Sequence, residues 1–165
     1  MSDGDWFAVV DCARDPRLFD VVQATAEHSC LYSGDYDDAT AATLPYLVRM
    51  SRKDRLFGVW SENESGRYWG ILIRSALPLA SLRRELRHFT MARLPKGEVV
   101  LFRFWDPRVF VPFAKAAIRD EIAPLFKTIH SIVADLGDGE RYVFSWNEGL
   151  MVNGKPHRSA SHEAA

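Results

Sequence analysis

The fold of this chain is decided by the stretch Tyr68-Trp69-Gly70-Ile71-Leu72-Ile73-Arg74-Ser75. Its apolar residues follow one another almost without interruption, whereas a strand with one solvated face alternates apolar and polar residues. A continuous apolar run is typical of a strand that is covered on both faces. We therefore predict a strand over residues 68–73 in the interior of a β-sheet.

A helix with one apolar face follows this strand. Pro78 suits the first helical position, because the N–H that proline lacks would have no partner there. Large apolar residues then recur at spacings of three, four and three, which places them on one side of a helix: Leu79, Leu82, Leu86 and Phe89. The pattern predicts a helix over residues 78–88 that packs on the sheet through this side.

Similar signals extend toward both ends of the chain. Residues 7–10 form a short apolar run, which predicts another buried strand. The dipeptides Asp15-Pro16 and Asp106-Pro107 each predict the start of a helix. In both, the aspartate is expected to accept hydrogen bonds from the free backbone N–H groups of the first turn.

The remaining segments predict more short elements. Ser51 is expected to cap a helix that carries Leu56, Phe57 and Trp60 on one side. Two strands around the turn residues 95–97 are expected to form a hairpin, with the second strand over 99–104. The last third of the chain predicts two short helices and a closing pair of strands: 107–116, 118–127, 129–134 and 142–146.

These elements predict an α/β fold of the mixed α+β type. Strands alternate with helices, yet some strands are joined by hairpins, so we expect a mixed β-sheet with helices packed on it. A chain of 165 residues is long enough for a single compact domain with its own core. We assign residues 1–152 to this domain and the polar residues 153–165 to a disordered tail.

Composition excludes several classes of function. With 47% hydrophobic and 26% charged residues, the chain is typical of soluble globular proteins. A net charge of -1 gives no electrostatic reason to expect nucleic acid as a partner. No apolar run is long enough to cross a bilayer and no signal peptide is visible, so we expect no membrane partner and a cytoplasmic location.

The charge is unevenly distributed along the sequence. Residues 1–50 hold three Arg against nine Asp and Glu, and residues 74–108 hold seven Arg.

No motif predicts a metal, a cofactor or a catalytic site. Phosphate loops, dinucleotide-binding glycine motifs and paired histidines with metal-ligand spacing are all missing from the sequence. One alternative is a small cytoplasmic enzyme in which His28 and Cys30 share a face of a strand, as a thiolate–imidazole pair requires. Another is a module for anionic ligands built on a cluster of arginines: Arg83, Arg84, Arg87 and Arg93. Cys30 can equally be a packed core residue beside a surface histidine, and the arginines can equally form a solvated helix face, in which case neither group has a function.

A candidate partner-binding site comes from residues around the second Asp-Pro pair: Arg74, Arg103, Trp105, Asp106 and Arg108. Arg74 ends one predicted strand, Arg103 lies within another, and Arg108 begins the next helix, so we expect them to converge at a sheet edge. Arg103 is expected to pair with Asp106 or to serve as a polar anchor for a partner. Trp105 supplies either interface area or core, and tryptophan with arginine is the usual composition of an interface hot spot.

The segment 68–108 resembles a known family in the order and spacing of its motifs. The strand contains Trp69-Gly70, and the Leu/Arg helix comes next. The hairpin Leu94-Pro95-Lys96-Gly97 and the ending Phe102-Arg103-Phe104-Trp105-Asp106-Pro107-Arg108 follow. These features resemble the family called domain of unknown function 4123.

The likeness extends beyond this segment. Val9-Val10-Asp11 resembles the opening of the family's domain, Pro45-Tyr46-Leu47-Val48 its Pro-Tyr-Leu element, and Leu125-Phe126 its closing region. The resemblance covers about residues 6–135. It implies an adaptor-chaperone of bacterial type VI secretion, which binds a cognate effector and promotes its loading onto the valine-glycine repeat spike protein, VgrG. It also implies that the chain is not an enzyme.

Overall fold

A computed structural model describes residues 4–158 as one sheet, one separate hairpin and a set of short helices. The strands are β1 Asp5–Asp11, β2 His28–Cys30, β3 Pro45–Arg49, β4 Gly70–Ser75, β5 Met91–Arg93, β6 Val99–Leu101, β7 Ser131–Gly137, β8 Glu140–Trp146, β9 Leu150–Val152 and β10 Lys155–Pro156. The α-helices are α1 Arg17–Gln23, α2 Asp38–Ala41, α3 Arg55–Val59, α4 Leu79–Arg87, α5 Pro107–Ala116 and α6 Arg119–Ile122. Two 3-10 helices span Trp60–Ser65 and Ala123–Lys127.

The main sheet has eight strands in the order β10-β9-β8-β7-β4-β1-β3-β2, and β5 and β6 form a two-stranded sheet of their own. The predicted α/β class with helices packed on a sheet is confirmed, and β4 has the predicted interior position. Every pairing among the described strands is antiparallel, so the parallel pairs that a mixed sheet would add are not found in residues 4–158. The sequence predicted a mixed sheet because apolar runs indicate burial but do not indicate strand direction.

Two hydrophobic layers lie on the two faces of the sheet. Along β1, Phe7 and Val9 belong to one cluster, whereas Ala8 and Val10 belong to the other. The first cluster includes buried residues of α4, α5 and α6, and the second includes those of α1 and α3. Because β1 is covered on both faces, its continuous apolar run is explained by the structure as the sequence predicted.

Helix α4 packs on the first face through the predicted side. Leu82 and Leu86 are fully buried, and Leu79 and Phe89 are partly buried against the same core. The side chain of Asp15 accepts a hydrogen bond from the N–H of Arg17 at 2.9 Å, which confirms its role at the start of α1.

The helix predicted after Ser51 differs from expectation. Ser51 accepts a hydrogen bond from the N–H of Lys53 at 3.3 Å in a preceding turn, and α3 begins only at Arg55. Ser51 therefore does not cap α3. Leu56 and Trp60, which are four residues apart, are buried, whereas Phe57 is 46% exposed because it lies on another side of the short helix.

The C-terminal part is ordered further than expected. Asn153 accepts a hydrogen bond from the N–H of Val143 through its Oδ1 at 2.8 Å, and β10 pairs with β9. His157 Nε2 lies 2.8 Å from the carbonyl oxygen of Lys115. Residues 153–158 thus belong to the fold instead of the predicted tail, and residues 159–165 lie outside the described part of the chain.

Leu82→Ala should lower the free energy of unfolding by about 2–5 kcal/mol, because it removes a fully buried side chain and leaves a cavity. Leu94→Ala is the matched control: Leu94 is 42% exposed, so its loss should stay within about 0.5 kcal/mol. Urea titrations of the two variants measure both values. Equal losses would contradict the packing of α4.

Candidate functional site

Two buried carboxylates mark one end of the central strands. Asp11 ends β1 and is 2% exposed, and Asp106 precedes α5 and is 6% exposed. The N–H of Asp11 donates to the carbonyl oxygen of Trp69 at 2.7 Å, so this end of β1 lies beside the start of β4. A buried carboxylate is stable as a charge only when it is paired and hydrogen-bonded.

Arg103 neutralises Asp11. Its Nη2 donates to Asp11 Oδ2 at 2.7 Å, and Asp11 Oδ1 accepts from the N–H of Ala13 at 3.1 Å. Two expectations for Arg103 are therefore wrong: its partner is not Asp106, and it lies after β6, which ends at Leu101. The Arg103 side chain remains 48% exposed, so the guanidinium reaches the surface while one side of it binds a buried carboxylate.

Asp106 is the predicted cap of α5. Its Oδ1 accepts from the backbone N–H of Arg108 at 2.9 Å, and both carboxylate oxygens accept from the Arg108 guanidinium at 3.1 and 2.8 Å. Burial would raise the pKa of this carboxyl, but the hydrogen bonds from Arg108 hold that pKa below its ordinary value. The Arg108 guanidinium also lies 4.5 Å from the centre of the Tyr68 ring.

Trp105 belongs to the core. It is 2% exposed, and its ring meets Tyr32 and Phe104 edge-on with centroid distances of 6.0 and 5.3 Å. Trp105 Nε1 and Tyr32 Oη are buried without a hydrogen-bond partner in the part of the chain that the structure describes. Burial raises the pKa of Tyr32 to about 12. Of the two possibilities for Trp105, the structure thus selects the core.

Arg74 does not join this cluster. It lies near the opposite end of β4, across from Trp6 and Ser131, and its guanidinium is 5.7 Å from the centre of the Trp6 ring. Arg74 lies four residues after Gly70, where β4 begins, which is about 13 Å along the strand. The expected convergence of all three arginines is therefore wrong, and only Arg103 and Arg108 come together, at the end of two central strands and not at a sheet edge.

An apolar groove on the second sheet face was not predicted. It has a volume of about 630 Å³, and we call it the Trp6 groove after its most prominent side chain. Its apolar lining consists of Trp6, Met50, Phe57, Trp60, Leu72 and Val133. Trp6 is 36% and Phe57 46% exposed. An Arg52 guanidinium 5.9 Å from the Phe57 ring adds positive charge to the rim.

This groove could not be found from sequence patterns. The sequence shows Trp6 and Phe57 as apolar residues beside buried neighbours, and such residues are normally assigned to the core. Phe57 is exposed because it lies on the side of α3 away from the core, and Trp6 is partly exposed at the end of β1, beyond the reach of the five-residue helix α3.

The proposed thiolate–imidazole pair is not favoured by the geometry. His28 Nδ1 lies 3.1 Å from the carbonyl oxygen of Thr25 and 3.2 Å from its Oγ1. Burial raises the pKa of the Cys30 thiol, whereas a nucleophilic cysteine needs a lowered pKa. The arginines of the other alternative divide into two groups, since Arg83, Arg84 and Arg87 lie on α4 and Arg93 lies on β5.

A sequence model of the family described as domain of unknown function (DUF4123) matches residues 6–123. The chain belongs to this family. The match begins at Trp6 and ends just after α6, so it includes both carboxylate–arginine pairs and most of the Trp6 groove, but not β7 to β10. Searches of curated proteins and of solved structures each found no match. Within residues 4–158, none of the helices has the length and apolar character that a membrane span requires.

Asp106→Ala should lower the free energy of unfolding by about 0.5–2 kcal/mol at pH 7, because the cap of α5 is lost. The lowered pKa means that this stabilisation is complete above the unfolded pKa, about 3.9, and is lost as pH falls through the folded value. Denaturant titrations between pH 2 and 7 should therefore show the two proteins converging in acid.

Asp54→Ala is the matched control for the cap, because Asp54 precedes α3 without a side-chain hydrogen bond. Its effect should stay below about 0.5 kcal/mol and should not follow the same pH dependence. A loss at Asp54 as large as that at Asp106 would contradict the assigned cap.

Proposed function

We propose that this chain is an adaptor-chaperone of a type VI secretion system. It acts in the cytoplasm, binds a cognate toxic effector and promotes loading of that effector onto the VgrG spike protein, without catalysing a reaction. The observation that carries this proposal is the DUF4123 match over residues 6–123, together with the role that the resemblance to this family implies.

The Trp6 groove supports a polypeptide partner. A contiguous apolar groove with a polar rim is typical of protein-binding surfaces. Trp6 and Phe57 are both partly exposed, and each has an arginine guanidinium within 6 Å of its ring. Aromatic and arginine side chains dominate the binding energy of many interfaces. We therefore place the main effector contact in this groove.

The paired arginines at the other end of β1 supply a second, polar surface. Arg103 and Arg108 are 48% and 45% exposed, and each is held by a buried carboxylate. A guanidinium that is already oriented loses less side-chain entropy when it binds a partner. Such contacts suit an adaptor that must release its client, because rim charges add more to recognition than to affinity.

The test is co-expression with a candidate effector and a VgrG protein from the same genome, followed by affinity purification and titration of the purified complex. Phe57→Ala should weaken effector binding at least 10-fold, because it removes an exposed aromatic ring from the groove. Tyr36→Ala is the matched control, since Tyr36 is 40% exposed and does not line the groove.

The outcomes separate the function from the surface. If the wild-type chain retains neither an effector nor VgrG, the adaptor function is wrong. If the wild type binds an effector and folded Phe57→Ala binds it equally well, the function stands and the Trp6 groove is not the contact.

A further inference from the structure

A basic groove lies between the edge strand β2 and helix α4. It has a volume of about 440 Å³ and is lined by His28, Ser29, Leu79, Ala80, Arg83, Arg84 and Arg87. Three of these residues are arginines and none carries a carboxylate. We call it the α4 groove. It is separate from both the Trp6 groove and the Asp11–Asp106 end of the sheet.

One arginine of the α4 groove is fixed, and two are available. Arg83 Nε donates to the carbonyl oxygen of Cys30 at 2.6 Å, and its Nη2 lies 3.3 Å from Ser33 Oγ. Arg84 and Arg87 are exposed, and neither forms an ion pair with any carboxylate that the structure describes, which are those of residues 4–158 other than Glu64. Their charges favour an anionic occupant.

The backbone of β2 offers hydrogen-bonding groups on the same side. Among the described strands, β2 is the last of the sheet and pairs with β3 alone. The N–H of Leu31 donates to Pro45 and that of Arg49 to Glu27, so Ser29 opposite Leu47 is the hydrogen-bonded pair between them. The backbone groups of His28 and Cys30 must then point away from β3. The bond from Arg83 to the Cys30 carbonyl agrees with this.

The arginine spacing fits an extended peptide. Arg84 and Arg87 are three residues apart on α4, and helix residues at this spacing have Cβ atoms about 5–6 Å apart. Alternate residues of an extended strand are about 6.6 Å apart and point to the same side. Carboxylates at alternate positions can therefore meet successive arginines. A single-stranded nucleic acid fits less well, because no Phe, Tyr or Trp side chain lines the groove to stack on its bases.

We propose that the α4 groove binds an extended acidic segment of a polypeptide. Carboxylates at alternate positions of the segment pair with Arg84 and Arg87, and its backbone follows the free edge of β2 beside His28. Binding of such a segment does not depend on the adaptor function, and only the assignment of the segment to an effector or to VgrG rests on it.

The probe is a fluorescein-labelled nonapeptide with glutamate at alternate positions, and its binding is followed by fluorescence anisotropy. The same peptide with glutamine in place of glutamate should bind at least 10-fold more weakly, because it lacks the charges that the arginines recognise. Binding of the glutamate peptide should also weaken as salt is raised. In the complex, the His28 amide should exchange with solvent more slowly than in the free protein.

A charge-matched pair of variants locates the site. Arg84→Glu/Arg87→Glu should reduce affinity for the glutamate peptide at least 10-fold. Arg93→Glu/Lys96→Glu changes the net charge equally on the β5–β6 hairpin, outside the α4 groove, and should change affinity less than 2-fold. All four residues are exposed, so circular dichroism should show both variants folded.

Three results would each overturn the proposal: equal loss in both double variants, equal binding of the glutamate and glutamine peptides, or tighter binding of a nine-nucleotide oligothymidine. The adaptor function is tested separately by co-purification. If the chain binds the glutamate peptide but co-purifies with neither an effector nor VgrG, the proposal for the α4 groove stands and the adaptor function is wrong. If the chain co-purifies with an effector or VgrG but does not bind the glutamate peptide, the adaptor function stands and the proposal for the α4 groove is wrong.

Discussion

The pairing of β1 with β4 is the interaction on which the rest of the structure depends. Both strands lie in the middle of the sheet, and their side chains contribute to the hydrophobic clusters on both faces. The two strands approach each other so closely where β4 begins that a Cβ added at Gly70 would collide with the carbonyl oxygen of Val9. Only glycine permits this approach, and Gly70 also has a positive φ of 153°. The two layers of helices are positioned by this pair, since each layer covers one of its faces.

The same pair of strands separates the surfaces of the molecule. At one end of β1, Asp11 receives Arg103 from the chain between β6 and α5. At the other end, Trp6 lines the Trp6 groove, and the Arg74 guanidinium lies 5.7 Å from the centre of its ring. This ion pair joins the two unevenly charged parts of the sequence, because Asp11 belongs to the acidic first 50 residues and Arg103 to the basic segment 74–108. Burial makes this pairing necessary, since an unpaired buried carboxylate would cost several kcal/mol.

This fold presents three chemically different surfaces on one small scaffold. The Trp6 groove is apolar, the Asp11–Asp106 end is polar with neutralised charges, and the α4 groove is basic. Because α3 is short and β2 has only three residues, neither the second sheet face nor the sheet edge is fully covered. Incomplete coverage of the sheet is thus what creates two of the three surfaces.

The sequence by itself determined the features that depend on near neighbours in the chain. The stripe of α4, the cap of Asp106 on α5 and the interior strand β4 all follow from spacing or from a dipeptide, and all were predicted. Tertiary structure alone decided the partner of Arg103, 92 residues away in the sequence, and the separation of Arg74 from the other two arginines. It also decided that Trp105 is core while Trp6 is exposed. Hydrophobic patterns report that a side chain is apolar, but burial depends on which distant element covers it, and a short helix such as α3 leaves some apolar side chains uncovered.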